Sequence, residues 1–237
     1  MSLLSNITIV LLICHVFGDF QFQTQEMANV KTKSLPVLAK HLLVHALVLA
    51  VLPTLLYGWR SLSEVWVLSL LVWLIHCIVD VAKYYLKSWK ELSHEVVYIV
   101  DQIVHIATIV LLSEYVIAPT LSLSLISIDT LKWGLLFLVI TKKANATFKI
   151  VFQKYQFETE APSIPGAGAI IGNLERVLSG IFLAMNQIAA IGFIYTAKSI
   201  ARFKEIDENK GFAEYYLIGT LFSILYVVAA YFIIIVI

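Results

Sequence analysis

Residues 35–57 read LPVLAKHLLVHALVLAVLPTLLY. Apart from Lys40 near its start, the stretch stays apolar for the length a membrane crossing needs, about 20 residues of helix. Two histidines interrupt it, His41 and His45, four apart and therefore on one face of that helix. An ionisable group inside a span costs ~2.5–3.5 kcal/mol and faces the protein interior rather than lipid. The stretch is thus a membrane helix with a polar inner face, and the rest of the chain repeats the pattern.

Composition agrees. The chain is 60% hydrophobic and 14% charged, with a mean hydropathy of +0.87; soluble domains carry about 25% charged residues. The fold class is therefore all-α, a polytopic transmembrane helix bundle. A net charge of +1 gives no electrostatic footprint for nucleic acid. Cys14 and Cys77 each sit beside a histidine within apolar sequence, about 100° around the helix from it, and read as buried core thiols. No disulfide framework is implied. The N-terminus lacks a basic region and a small-residue cleavage site, so Met1–Phe17 reads as a retained first helix.

The candidate spans are Leu3–Phe20, Leu35–Tyr57, Glu64–Lys87, Glu95–Ile117, Leu131–Val151, Glu175–Ala197 and Tyr215–Ile237, about seven with a range of six to eight. They suggest a first region, 1–117, built of four helices, and a second, 118–237, holding the remaining spans and the Pro- and Gly-bearing loop 153–172. A re-entrant segment is expected near 160–172. Positive charge orients the first half. Lys31, Lys33 and Lys40 follow the first span, Lys83, Lys87 and Lys90 close the third, and Lys142, Lys143, Lys149 and Lys154 surround the end of the fifth. The other side offers only Arg60. The N-terminus is expected outside. Lys198, Arg202, Lys204 and Lys210 dissent from seven spans, and one extra half-helix would reconcile them.

Four pairs of metal-ligand residue types share one spacing: His15 and Asp19, His41 and His45, His76 and Asp80, Asp101 and His105. With six His and five Asp in 237 residues, chance gives about half a pair at this offset. Each pair falls in a different span, and the alternating directions of the spans put all four near the inner ends. That agreement in depth was not required by the spacing. The eight residues are candidate ligands for one or two divalent metal ions, zinc first, with manganese, iron or nickel also compatible with His and carboxylate donors. Asp80 and Asp101 are the candidate catalytic carboxylates. The plain alternative is a set of structurally satisfied intramembrane polar groups.

The run His15-Val-Phe-Gly-Asp19-Phe20-Gln21-Phe-Gln23, with Lys31, His41 and His45 after it, resembles an uncharacterised bacterial integral-membrane family catalogued only as a domain of unknown function. The blocks His76-Cys-Ile-Val-Asp80 with Lys83, and Asp101-Gln102-Ile-Val-His105, add to the likeness. It covers about the first half of the chain. The later stretches Gly172-Asn-Leu-Glu175-Arg176, Lys198-Ser-Ile-Ala-Arg202-Phe and Glu214-Tyr-Tyr-Leu-Ile-Gly219-Thr look like the family's longer members. The resemblance implies no activity; it implies that the block residues work together.

Other polar residues flank the pairs. Gln21, Gln23 and Gln102 can orient a ligand or bond a substrate, or simply meet headgroups at helix ends. Lys83 either pairs with Asp80, three residues before it, or snorkels to the inner surface, and the sequence favours snorkelling. Glu175, Arg176, Lys198, Arg202 and Glu214 form a second set. Lys198 and Arg202, four apart, suit a phosphate or lipid headgroup, as well as they suit a solvated juxtamembrane face.

Three functions compete. A membrane-embedded metal-dependent hydrolase would use metal-activated water on a lipid or lipid-linked substrate at the inner leaflet. A transporter or channel for divalent metal or protons would need polar groups across the whole membrane, and the outer halves of the first four spans read as almost purely apolar. A structural protein needs four ligands for one zinc, fewer than are present. The bilayer is the expected partner, with self-association into an oligomer compatible with the sequence.

Overall fold

The structure, a computed structural model, describes residues 4–58, 62–85, 92–116, 126–157, 164 and 166–237. Arg60, Lys87 and Lys90, used above for orientation, and residues 160–163 and 165 of the expected re-entrant segment lie outside these. The described residues contain helices and no strand, and the chain divides into two compact units, Met1–Leu135 and Leu136–Ile237.

In the first unit, α1 (Asn6–Val16) starts at the N-cap Ser5, whose side chain accepts from the Thr8 backbone amide. It runs on into a π-helical turn, Phe17–Gln21. The short α2 (Gln25–Val30), capped by Thr24, leads to α3 (Leu35–Tyr57), α4 (Leu62–Tyr85) and α5 (His94–Leu111), which ends in a second π turn, Leu112–Val116. Helix α6 (Ile128–Leu138) follows.

From Ile7 to Val16 every residue of α1 except Leu12 is buried. A helix buried on all sides lies at the centre of its bundle, and α1 touches both α3 and α5. The outer helices each bury a single stripe. On α3 it is Leu38, His41, His45, Leu49, Pro53 and Leu56; on α4 it is Val65, Leu68, Ser69, Val72, His76 and Asp80. Their opposite faces expose large apolar side chains such as Leu43, Leu47, Val51 and Leu55. This is the pattern of a lipid-facing bundle, where helix contacts come from close packing and hydrogen bonds rather than from apolar sorting. One such bond joins α3 to α4, from Trp73 Nε1 to the Leu42 carbonyl at 3.0 Å.

The second unit contains α7 (Ala144–Val151), α8 (Ala167–Ala184), α9 (Ile188–Ala201), α10 (Phe203–Glu208) and α11 (Lys210–Tyr231). Two expected spans are interrupted. Leu131–Val151 breaks at Thr141, which leaves helical geometry (φ −98, ψ −107) within a π turn. The Thr141 hydroxyl donates back to the Phe137 carbonyl at 2.8 Å, a bond that bends helices. Glu175–Ala197 is two helices, because Asn186 adopts a left-handed φ of 55 between α8 and α9, a conformation Asn tolerates. Five helices among the described residues are long and apolar enough to cross a membrane: Leu35–Tyr57, Ser63–Tyr85, His94–Tyr115, Ala167–Ala184 and Lys210–Val236. Asn6–Gln21 and Ile188–Ala201 are apolar but shorter; at ~1.5 Å per residue they fall short of about 30 Å of hydrocarbon.

Buried Arg176 repairs the first break. Its Nε donates to the Ile140 carbonyl at 2.5 Å, Nη1 to Ser223 Oγ at 3.2 Å, and Nη2 to Asn145 Oδ1 at 2.5 Å and Asn173 Oδ1 at 3.0 Å. Replacing Arg176 with alanine strands these acceptors in the interior and should cost about 3 kcal/mol or more. Arg202→Ala, at an exposed pair with Glu205 (3.5 Å), should stay within about 0.5 kcal/mol. Thermal unfolding in detergent reads both; equal losses would refute the bracing role.

Candidate metal centre

Each of the four pairs reaches the site on a different element. His15 ends α1, and Asp19 follows on the π turn. Such turns widen a helix by one residue and recur at functional sites. The turn brings α1 close to α3: a methyl group added at Gly18 would overlap the His45 ring. His41 and His45 come from the buried stripe of α3, His76 and Asp80 from that of α4, and Asp101 and His105 from the first turns of α5.

The eight residues converge. Asp19 Oδ1 lies 3.4 Å from His41 Nε2, 3.6 Å from His45 Nε2 and 3.7 Å from His76 Nε2, and Asp19 Oδ2 is 3.8 Å from His15 Nε2. Asp80 Oδ2 lies 3.2 Å from His41 Nε2 and 3.6 Å from His76 Nε2. His105 Nε2 is 3.1 Å from Asp101 Oδ1 and 3.7 Å from Asp80 Oδ1. The His45 and His76 rings stack with centroids 3.8 Å apart. These donors form three overlapping groups compact enough to hold a metal ion: His15–Asp19–His45–His76, His41–His76–Asp80 and Asp80–Asp101–His105. His76 belongs to two of them, and so does Asp80.

Two lysines complete the cluster. Lys83 Nζ sits 2.5 Å from Asp80 Oδ1 and 2.6 Å from Asp101 Oδ1, so it turns inward instead of snorkelling. The reason is electrostatic: buried carboxylates are costly without a counter-charge. Lys31 Nζ, just past α2, lies 3.6 Å from Asp80 Oδ2 and 3.2 Å from His41 Nε2. From the sequence Lys31 entered as a loop charge and as part of the run that carries the family resemblance, not as a site residue. A signal for it was present, since three clustered carboxylates call for more than one nearby cation. Gln102 Nε2 donates to Asp101 Oδ2 at 3.3 Å and reaches Asp19 Oδ2 at 3.5 Å.

Burial of the centre is uneven. The five imidazoles are at most 3% exposed, whereas the side chains of Lys31, Lys83 and Asp101 are 13%, 14% and 11% exposed. The Lys31–Lys83–Asp101 edge is therefore the open side. On the closed side, His15, His45, His76, His105 and Thr108 line a void of about 10 Å³, about the room a single water or ion takes. His45 Nε2 and Asp19 Oδ1, though buried, make no hydrogen bond. Polar atoms rarely go unpaired in an interior, and a cation between them would satisfy both.

The remaining candidates are dispersed. Gln21 closes the π turn and Gln23 lies in the link to α2. Glu175 is buried and pairs with Lys198 at 2.7 Å, Arg176 braces the second unit, and Glu214 is exposed. Lys198 and Arg202 do not form one cationic clamp: Lys198 is engaged by Glu175, and Arg202, past the end of α9, pairs with Glu205. His94, outside the four pairs, is exposed at the start of α5. Both cysteines are free; Cys14 is buried and Cys77 half-buried.

A family model described as a protein of unknown function (DUF3307) matches residues 7–134. The chain belongs to this family. The DUF3307 match takes in every helix that supplies the centre, together with Lys31 and Lys83. No curated protein and no solved structure matches the chain.

The close approach of the π turn to α3 gives a direct test of how the DUF3307 centre is held. Gly18→Ala should destabilise the protein by about 1–3 kcal/mol through overpacking against His45. Gly134→Ala, whose added methyl meets nothing within 4 Å, should not lower the unfolding temperature. An unchanged melting temperature for Gly18→Ala would contradict the packing described.

Proposed function

We propose that the chain is an integral-membrane, metal-dependent hydrolase acting on a lipid or lipid-linked substrate at the cytoplasmic leaflet of the bacterial inner membrane. The observation that carries this reading is the meeting of five imidazoles and three carboxylates from four separate elements, with four of those imidazoles lining an ion-sized void. Zinc suits the donor set best, with manganese, iron or nickel as alternatives. A bound ion lowers the pKa of its water to about 7 and polarises a carbonyl or phosphoryl oxygen. Asp101, on the open edge, is placed to take a proton from that water, and Asp80 holds the lysines in position. Lys31 and Lys83 give the same edge the positive charge that an anionic headgroup needs.

The topology in this reading has eight crossing elements rather than seven, the short α1 and α9 crossing by local thinning of the bilayer around the bundle. Helices α1, α3, α4 and α5 traverse in turn, followed by the broken 131–151 segment, α8, α9 and α11. Helix α8 turns back at Asn186, so Lys198, Arg202, Lys204 and Lys210 return to the side of Lys142 and Lys149. Each unit then satisfies the positive-inside rule by its own lysines, with the N-terminus outside.

A second reading, a conduit for protons or divalent cations, draws support from the far half of the first unit. Thr8 and Ser113, both fully buried, share a hydrogen bond of 2.7 Å, and Glu114 Oε1 accepts from the Thr8 hydroxyl at 2.5 Å and the Ser5 amide at 2.7 Å. The sequence made this half almost purely apolar. A layer containing Leu11, Val72 and Ile109, each at most 3% exposed, lies between these groups and the imidazoles, which favours a one-sided site over a continuous path.

Elemental analysis of the detergent-purified protein should find a transition metal. In vesicles of anionic phospholipid or polyprenyl phosphate, the loaded protein should release a hydrolysis product, and Asp101→Asn should slow release by about 100-fold or more. A loaded protein that hydrolyses none of these yet passes protons or zinc across liposomes would replace this reading with the second.

A further inference from the structure

The charges of the centre are unevenly shared. Three carboxylates meet two ammonium groups, and both ammonium groups sit on the same side. Lys83 bridges Asp80 and Asp101, the two carboxylates of the Asp80–Asp101–His105 group. Lys31 lies between Asp80 and His41, two members of the His41–His76–Asp80 group. Asp19 has no lysine or arginine within 4 Å among the described residues; its ion-pair neighbours are His15, His41, His45 and His76. With neutral imidazoles, the one negative charge left uncompensated therefore belongs to Asp19.

We propose that a single divalent cation binds tightly at His15, Asp19, His45 and His76, and that Lys31 and Lys83 are the resident cations of the other two groups. This rests on the metal-centre reading above and narrows it from one or two ions to one, at a named set of ligands.

Three further observations agree. His15, His45 and His76 line the ion-sized void. His45 Nε2 and Asp19 Oδ1 lack hydrogen-bond partners while facing each other at 3.6 Å; Asp80 Oδ1 and Oδ2 lack them too, but each has a lysine ammonium against it. Four ligands 2.0–2.1 Å from a tetrahedral zinc stand about 3.3 Å apart; Asp19 Oδ1 already lies 3.6 and 3.7 Å from His45 and His76, and all four ligand atoms lie within 4.8 Å of one another. The other groups repel an incoming ion: an ammonium 3.2 Å from His41 Nε2 occupies the space a metal on that nitrogen would need. At such distances like charges weaken binding by about a hundredfold or more. Loading the first group also removes His76 from the second.

The test uses the full chain in detergent, with zinc for stoichiometry and cobalt as a spectroscopic probe. The wild-type protein should bind one tight equivalent. His45→Ala and Asp19→Asn should lose it, while His105→Ala and Asp101→Asn should keep it. Lys83→Met, which frees the one group that shares no ligand with the first, should raise the stoichiometry from one towards two, whereas Lys31→Met should leave it at one. Because a deleted ligand can also unfold a helix bundle, His45→Cys provides a positive readout: cobalt there should gain a thiolate charge-transfer band that His105→Cys lacks. Two tight equivalents in the wild type, or the band appearing with His105→Cys and not His45→Cys, would overturn this assignment and leave the metal centre standing. A wild-type chain that binds neither zinc nor cobalt at saturation would overturn both.

Discussion

Three carboxylates share a bundle interior with only two ammonium groups, and most of the first unit is arranged around that imbalance. Asp19 and Asp80 are buried and Asp101 nearly so, and the neighbouring donors are drawn in towards them. Lys83 forgoes the membrane surface, Lys31 folds back from the end of α2, and Gln102 spans two of the acids. The five imidazoles take the remaining space, with ring centroids as close as 3.8 Å. Such a cluster is unfavourable unless fully satisfied, and an ion is the simplest means of satisfying Asp19 and His45 together.

Much of this was legible in the letters. The i,i+4 pairs stood out because lipid-facing sequence carries so few ionisable residues that each one is informative. Their common depth followed from alternating span direction. The behaviour of Lys83 and Lys31 was not legible, because a lysine near a helix end has two outcomes with the same sequence signature: the surface, or a carboxylate that only the fold brings near. The π turn at Phe17–Gln21 was equally hidden, since one added residue per turn leaves the apolar pattern of α1 unaltered. Spans five and six failed for a related reason. A window of some 20 residues averages over a single position, and a single position broke each: Thr141 by bonding its own helix, Asn186 by entering the left-handed region.

The second unit follows the same logic with different chemistry. Where the backbone leaves helical geometry at Thr141, the adjacent Ile140 carbonyl takes a side-chain donor. Arg176, on a facing helix, supplies the donor and spreads its remaining hydrogen bonds over Asn145, Asn173 and Ser223. Irregular backbone at membrane depth is tolerated only where protein groups take over its hydrogen bonds, and here one guanidinium does so. The second set of charged residues noted in the sequence therefore holds a bent segment in place, with Glu175 tied to Lys198 beside it.

The position of α1 carries a consequence for biogenesis. It precedes α3, α4 and α5 in the chain, yet from Ile7 to Val16 every residue but Leu12 is buried in the bundle. Until α3, α4 and α5 have been made, His15 and Asp19 have no companions, and their helix is shorter than the bilayer is thick. Helix α1 is made before the helices that bury it, so its burial can be completed only after they are made.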